Sequence, residues 1–284
     1  MAGPLQFCAP TALDYFAALV ADDASFALLE AAVAVAQDDE PELDVQGVLA
    51  DIDGLAHRLN KRLPADAAPL QRLRLLNQYF FHELGFAGNV NDYYDPRNSL
   101  VPAVLASRRG IPLTLALIYA ELAAQIGLRA DGISFPGHFL VKLHMPRGEV
   151  VIDPFNGRSL GREDLEERLL PYRRKRDLDP DDDVPLGLFL QAASPRDVIA
   201  RLLRNLKEIH RSAGHWSRLE AVQQRLVVLL PQAWDERRDH ALALGQLGRQ
   251  RAADEAMSTY LKHCPGAADA AAMRRQLAQW RRRS

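Results

Sequence analysis

The stretch that decides the fold runs from Arg109 to Asp153 and reads RGIPLTLALIYAELAAQIGLRADGISFPGHFLVKLHMPRGEVVID. An apolar helix is predicted to begin at Gly110-Ile111-Pro112 and to end near Gly127. A strand-like segment at 133–135 follows, and alternation then predicts a strand that carries His138. A hairpin turn at 146–148 leads into a last strand that ends at Asp153. The order is therefore helix, histidine strand, aspartate strand.

This order resembles the papain-like core of the transglutaminases. In that core a cysteine at the helix N-terminus is activated by the histidine, and the aspartate orients the imidazole. The resemblance implies that His138 and Asp153 occupy the histidine and aspartate positions. By the family spacing, Gly110, Ala116 and Gly127 align only if Pro112 stands in the cysteine slot. Proline suits the first turn of a helix but carries no nucleophile, so the predicted site is degenerate.

Further motifs resemble the SirB1 family more closely. They are Asn91 to Ser99 (NDYYDPRNS), Arg108 to Pro112 (RRGIP) and Phe135 to Phe139 (FPGHF). That family joins a transglutaminase-like domain to tetratricopeptide-type repeats, and its members generally carry proline at the position of Pro112. The resemblance implies the fold more strongly than a function, because the family has no well-established activity.

Composition sets broad limits on the kind of protein. The chain has 284 residues, of which 25% are charged and 48% hydrophobic, and a formal net charge of −2. This balance gives no indication of nucleic-acid or membrane binding. The longest apolar run, Ile111 to Ala120, is about half a membrane span and is followed by Glu121. With no visible secretion signal and only two cysteines, Cys8 and Cys264, we expect a cytoplasmic protein without disulfides.

Two domains are predicted. Residues 1–175 are expected to form an α+β domain, in which a helical N-terminal part packs on a small antiparallel sheet. A linker is predicted at 176–194, because a basic run at 173–176 is followed at once by an acidic run at 177–183. That basic run could contact RNA, but a self-neutralising solvated segment is the favoured interpretation.

An internal repeat predicts an all-helical domain at 195–284. Gly214 and Gly248 are spaced by the tetratricopeptide period, as are Pro231 and Pro265. Two such units are fewer than a self-standing solenoid needs, so we expect them to dock on the N-terminal domain.

Other candidate chemistry is weaker. Thr114, Ser107 and Ser134 are the hydroxyls nearest the core, but none occupies the cysteine position. Asp92, Asp95 and Asn98 could in principle ligate a cation, yet turn and cap roles are favoured, and neither a metal nor a cofactor is expected.

The leading functional hypothesis is a non-catalytic binding protein with a regulatory role. Its partner is expected to be a peptide or protein, bound around His138 by pocket walls that include Tyr93, Tyr94, Arg97 and Asn98. The alternative is a hydrolase or acyltransferase on amide or peptide bonds that uses His138 and Asp153 with a nucleophile other than cysteine. A third possibility is that His138 and Asp153 form a purely structural hydrogen bond. The ligand and the oligomeric state are not predicted.

Overall fold

A computed structural model describes residues 10–175 and 184–283 of the chain. Cys8 and the acidic run at 177–183 lie outside the described residues. The helices are α1 Ala12–Leu19, α2 Leu28–Ala34, α3 Val45–Asn60, α4 Pro69–Asn77, α5 Val101–Ser107, α6 Pro112–Gln125, α7 Arg162–Lys175, α8 Leu186–Phe189, α9 Pro195–Ser212, α10 Trp216–Leu229, α11 Trp234–Gln246, α12 Gln250–His263 and α13 Ala270–Arg283. The strands are β1 Ala87–Gly88, β2 Arg109–Gly110, β3 Ala130–Ile133, β4 Leu140–Met145, β5 Gly148–Ile152 and β6 Ser159–Leu160.

These elements form the predicted α+β domain and helical repeats. Two boundaries differ from the sequence prediction. The first strand of the sheet, β3, ends at Ile133 instead of covering 133–135, because Phe135 accepts a turn hydrogen bond from the backbone N–H of His138. Helix α7 continues to Lys175, so three of the four residues of the basic run at 173–176, interpreted from the sequence as part of a solvated segment, are helical.

The chain divides into two compact units. One comprises residues 1–43 together with 203–284, and the other comprises residues 44–202. This division differs from the boundaries expected from the sequence, because the first two helices belong with the repeats. The boundary at 202–203 falls inside α9.

In the unit formed by residues 44–202, α6 is the central element. Ten of its fourteen residues are buried, and α3, α4, α5, β3 and β4 all pack on it. A helix that is apolar on all sides needs such a complete covering. Strands β3 to β6 form an antiparallel sheet in sequence order, whereas β1 and β2 pair in parallel as a separate ribbon.

In the other unit, the helices from α10 to α13 pack in sequence order, each on the next, and α1 packs on α10. Gly214 and Gly248 occupy the turns before α10 and α12, both with φ near +70°. Their backbone conformation explains the glycine at each repeat position. The repeat period places Leu226 and Tyr260 at equivalent positions, and both side chains are buried. Helix α1 thus supplies covering that two repeats alone lack.

The structure also bears on membrane insertion. Across the described ranges, no helix has both the length and the apolar character needed to cross a bilayer.

Candidate functional site

His138 and Asp153 lie at the same end of the antiparallel sheet. Gly137, with φ +71°, closes a turn that places His138 two residues before β4. Asp153 directly follows β5, and the pairing of Val141 with Ile152 brings the start of β4 beside the end of β5. As a result, Nε2 of His138 lies 2.8 Å from Oδ1 of Asp153. The His138 side chain is 23% exposed, whereas that of Asp153 is 2% exposed.

The carboxylate of Asp153 is held by three donors. Besides His138, the backbone N–H of Phe155 donates to Oδ1 at 3.0 Å, and Nη2 of Arg168 donates to Oδ2 at 2.9 Å. Burial acts to raise the pKa of Asp153, but the hydrogen bonds from His138, Phe155 and Arg168, together with the electrostatic effect of His138, outweigh it, and the pKa is lowered. Asp153 is therefore ionised at neutral pH and fixes the orientation of the imidazole.

Pro112 is the first residue of α6 and is buried. The turn that leads into it is fixed by the backbone carbonyl of Asn98, which accepts from the N–H of Ile111 at 3.2 Å and from Oγ1 of Thr114 at 2.7 Å. A Cβ on Gly110 would lie 2.9 Å from that hydroxyl, which explains the glycine. The helix start expected from the sequence is thus present, with a proline where the resemblance calls for a cysteine.

Asn98 organises the loop that begins at Asn89. Its side-chain amide donates to the carbonyls of Asp92 at 2.7 Å and Tyr93 at 3.2 Å, and its Oδ1 accepts from Nδ2 of Asn89 at 3.0 Å. The side chain predicted to bind a ligand is therefore buried and engaged in shaping the loop.

Tyr93 and Tyr94 project from this loop. Their rings meet edge to face with centroids 5.4 Å apart. Phe155 connects the pair to the histidine, because its ring centroid lies 6.2 Å from that of Tyr93 and 6.4 Å from that of His138. The ring of Phe155 occupies the place where a side chain on Gly88 would be, at 2.0 Å from an added Cβ. Phe155 thus lies between Tyr93 and His138, and Tyr94 packs against Tyr93.

Arg97 is exposed at the end of the same loop, and its backbone N–H donates to the side chain of Asp95 at 2.9 Å. Asp95 thereby caps the short 3-10 helix Pro96–Ser99, as expected for a cap residue. In residues 10–175 and 184–283, no group of three or more histidine, cysteine or acidic side chains is arranged to hold a metal.

Sequence reasoning missed Arg168 and Phe155. Arg168 lies in α7, and no short-range spacing relates it to Asp153. Phe155 follows Asp153 by two residues. The one sequence signal for its position is Gly88, whose lack of a side chain leaves room for the Phe155 ring.

The three hydroxyls considered as nucleophiles are all engaged elsewhere. Thr114 is fully buried and donates to the carbonyl of Asn98. Ser134 accepts from Nη1 of Arg201 at 2.7 Å, and Ser107 donates to the carbonyl of Ala103 at 2.8 Å. None of these contacts involves His138.

Comparison with known proteins places this arrangement in a family. The model of the transglutaminase-like superfamily matches residues 46–204, and a tetratricopeptide repeat model matches residues 206–278. A UPF0162 protein of Xylella fastidiosa is 35% identical over 245 residues, which cover 86% of each chain. A UPF0162 protein of Pseudomonas aeruginosa is 33% identical over 205 residues, covering 72% of this chain and 73% of the relative.

A more distant likeness is confined to a short segment. Human F-box only protein 21 is 38% identical over 72 residues, which are 25% of this chain and 12% of that protein. No solved structure matches the chain. The matches over most of the length confirm the SirB1-like resemblance, and the chain belongs to the UPF0162 family, in which a transglutaminase-like domain is joined to tetratricopeptide repeats.

Proposed function

We propose that this protein is a cytoplasmic, regulatory binding protein that engages a peptide or protein segment at the surface around His138. The observation that carries the proposal is a concentration of exposed apolar side chains. In the described part of the chain, six large hydrophobic side chains are strongly exposed, and Val90, Tyr93 and Tyr94 are three of them. They fall within five residues of one loop, and Phe155 links Tyr93 of that loop to His138. Clustered apolar and aromatic exposure is typical of a protein-binding site.

The chemistry of the surface supports peptide recognition. Tyrosine combines a large apolar face with a hydroxyl, which suits contact with extended peptides. Tyr94 is 76% exposed, so it can contact a partner without rearrangement of the core. His138, held by Asp153, adds a polar group of fixed orientation that can hydrogen-bond a peptide backbone.

The residue at the start of α6 supports binding without thiol catalysis. Acyl transfer through a covalent intermediate requires a nucleophile within hydrogen-bond reach of the base. Pro112 supplies none, and Cys264 lies at the end of α12, in the other compact unit. The side-chain hydrogen bonds of Thr114 and Ser134 are made to groups other than His138.

The repeats add a second candidate surface. Tetratricopeptide repeats stack into extended concave surfaces that bind partners. We therefore expect the unit formed by residues 1–43 and 203–284 to take part in partner binding as well.

The alternative is a hydrolase or acyltransferase of amide or peptide bonds. It is favoured by one observation, the oriented pair of His138 and Asp153, which is the arrangement of a general base and its orienter. Such an enzyme would need to activate a water or a substrate hydroxyl in place of a thiol.

Peptide selection with the purified full chain tests the proposal. A displayed library of random peptides is selected on the wild type, and the affinities of the enriched peptides are measured for Tyr94→Ala, His138→Ala and the control Leu70→Ala. Leu70 is also half exposed but lies on α4, away from the loop. We expect Tyr94→Ala to weaken binding about tenfold or more and Leu70→Ala to leave it unchanged.

Two results would contradict the proposal. One is that the enriched peptides bind Tyr94→Ala as tightly as the wild type. The other is that the wild type cleaves or acylates them and that His138→Ala abolishes the reaction, which would establish the enzyme alternative.

A further inference from the structure

A cavity of about 430 Å³ lies between α3 and α5, and its lining includes none of the residues of the surface around His138. Both helices pack on α6, which forms no part of the cavity lining. Cavities of roughly 300 to 1,000 Å³ are the usual size of small-molecule sites. The volume is therefore sufficient for a small metabolite.

The lining combines two cations, one anion and an apolar wall. Asp51, Leu55 and Arg58 follow one another at helical spacing on a single face of α3. Leu105 and Arg108 line the cavity from the side of α5. Charges of both signs thus meet an apolar surface in one solvent-open cavity.

Arg108 holds an unusual backbone conformation. It is the C-cap of α5, with φ 60° and ψ 19°, and its N–H donates to the carbonyl of Val104. It alone among the non-glycine residues described has a positive φ. Glycine is the residue most favoured in this left-handed conformation, so an arginine there strains the backbone. In return, the arginine places a guanidinium at the cavity.

Within the part of the chain that the structure describes, the Arg108 side chain makes no salt bridge, although the charge of Asp51 acts on it. The guanidinium lies 4.6 Å over the ring of Phe86, and its buried Nη1 has no hydrogen-bond acceptor among residues 10–175 and 184–283. Burial lowers the pKa of Arg108, Arg58 adds to that shift, and Tyr79 and Asp51 oppose it. An arginine nevertheless stays cationic at neutral pH, so two positive charges face the cavity.

Gly54 keeps the cavity open. It lies in the interior of α3, where glycine lowers helix stability relative to alanine. A Cβ added there would meet only Nη1 of Arg58, at the ordinary contact distance of 3.5 Å. Packing therefore does not require a glycine, whereas a larger side chain at this position would fill the space beside Arg58.

We propose that this cavity binds a small molecule that carries a carboxylate, an ammonium group and an apolar side chain, which is the chemistry of a free amino acid. The carboxylate pairs with Arg58 and Arg108, since guanidinium groups bind carboxylates through paired hydrogen bonds. The ammonium group pairs with Asp51, and the side chain contacts Leu55 and Leu105. One carboxylate matches the lining better than a doubly charged phosphate, because Asp51 repels excess negative charge.

The test uses the full chain and four probes, with binding followed by ligand-observed NMR titration. The probes are L-leucine, isocaproate without the amine, L-leucinamide without the carboxylate, and inorganic phosphate. We expect saturable binding of L-leucine, and at least about tenfold weaker binding of L-leucinamide because its charge-assisted hydrogen bonds to arginine are lost. Isocaproate should bind more weakly than L-leucine but more tightly than L-leucinamide.

Variants then locate the site. Arg108→Gln, Arg58→Gln and Gly54→Leu should each weaken L-leucine binding about tenfold or more, the last by filling the cavity. Arg129→Gln, which alters an exposed arginine outside the cavity, is the matched control and should bind like the wild type. Thermal melting of each variant identifies any that fails to fold, in which case the other two decide.

Three results would overturn the proposal: saturable binding of none of the four probes, binding of phosphate but not of L-leucine, or unchanged L-leucine binding in the folded variants. The proposal is independent of the peptide surface, because none of these variants alters the loop that carries Tyr94.

Discussion

Asp153 joins two partners through its two oxygens: Oδ1 lies 2.8 Å from Nε2 of His138, and Oδ2 accepts from Nη2 of Arg168 at 2.9 Å. The carboxylate is buried, while both partners are partly exposed. The aspartate therefore ties α7 to the histidine turn and holds the imidazole at the surface. This geometry suits a binding site and a general base equally well. What distinguishes the two functions is the residue at the start of α6, where a nucleophile would stand.

Replacing the carboxylate of Asp153 should destabilise the fold in a pH-dependent way. Asp153→Asn is expected to lower the free energy of unfolding at pH 7 by about 2 kcal/mol, because it removes a buried charge from two partners. The pKa of Asp153 is lowered in the folded state, so the wild type gains stability above the ordinary aspartate pKa of about 3.9 and loses it as the pH falls below that value. Urea unfolding at pH 7 and at pH 3 should show the difference between the proteins shrinking in acid.

The control for that experiment is Glu166→Gln, which removes an exposed i,i+4 pair with Arg162. We expect Glu166→Gln to lower the free energy of unfolding by about 0.5 kcal/mol or less. An Asp153→Asn protein as stable as the control variant would mean that the ion pairs of Asp153 contribute no stability.

A cysteine at the start of α6 should be unusually acidic. In a background of Cys8→Ser and Cys264→Ser, Pro112→Cys places a thiol at a helix N-terminus, where the unpaired N–H groups favour the thiolate. The family resemblance implies that the imidazole of His138 reaches this slot, which would favour the thiolate further. The pH dependence of the thiol's alkylation rate should give a pKa at least about one unit below the usual 8.5.

Pro69→Cys is the matched control, because Pro69 is also the first residue of a helix, α4, and lies outside the His138 surface. A pKa shift in Pro112→Cys that exceeds the shift in Pro69→Cys, and that His138→Ala removes, would establish that the histidine reaches the nucleophile slot. Identical pKa values in the two cysteine variants would show that the slot and the histidine are not coupled.

The N-terminal helices should stabilise the repeats through Arg225. This side chain is 1% exposed, donates twice to the carboxylate of Asp38 at 2.7 Å, and lies 4.9 Å over the ring of Phe16. Arg225→Leu leaves Asp38 without its cation, and we expect a loss of about 2 to 3 kcal/mol in the free energy of unfolding.

Arg218→Leu is the comparison, because Arg218 pairs with the adjacent Asp39 but is half exposed. Arg218→Leu should lower the free energy of unfolding, measured by chemical denaturation, by less than about 1 kcal/mol. Equal effects of the two substitutions would contradict a special role for the buried pair.

Residues 195–284 alone should be a poorly stable helical fragment. Without α1, the face of α10 that it covers is exposed to water, and two repeats with a closing helix bury too little apolar surface. Circular dichroism should show a broad, low-temperature melt, and a peptide of residues 10–43 added in excess should sharpen it and raise the midpoint. A fragment that melts cooperatively as a stable monomer, without response to the peptide, would contradict this dependence.

Much of the architecture follows from local patterns in the sequence. The apolar run after Gly110 predicts α6, the Pro-Arg-Gly turn predicts the β4–β5 hairpin, and the spacing of Gly214 and Gly248 predicts the repeats. Each signal lies within one element or one turn, where backbone sterics and hydrophobic periodicity act over a few residues. The expectation that His138 would meet Asp153 came from the family resemblance, and the β4–β5 register explains the contact.

Only the tertiary structure decided which distant residues complete these elements. Arg168 reaches Asp153 from a separate helix, and Arg225 meets Asp38 across 187 residues of sequence. The grouping of residues 10–43 with the repeats depends on the same long-range packing. The periodicity of a sequence does not predict such pairs. A buried ion pair depends on how two elements dock and on the water excluded between them, and neither is a property of a local segment.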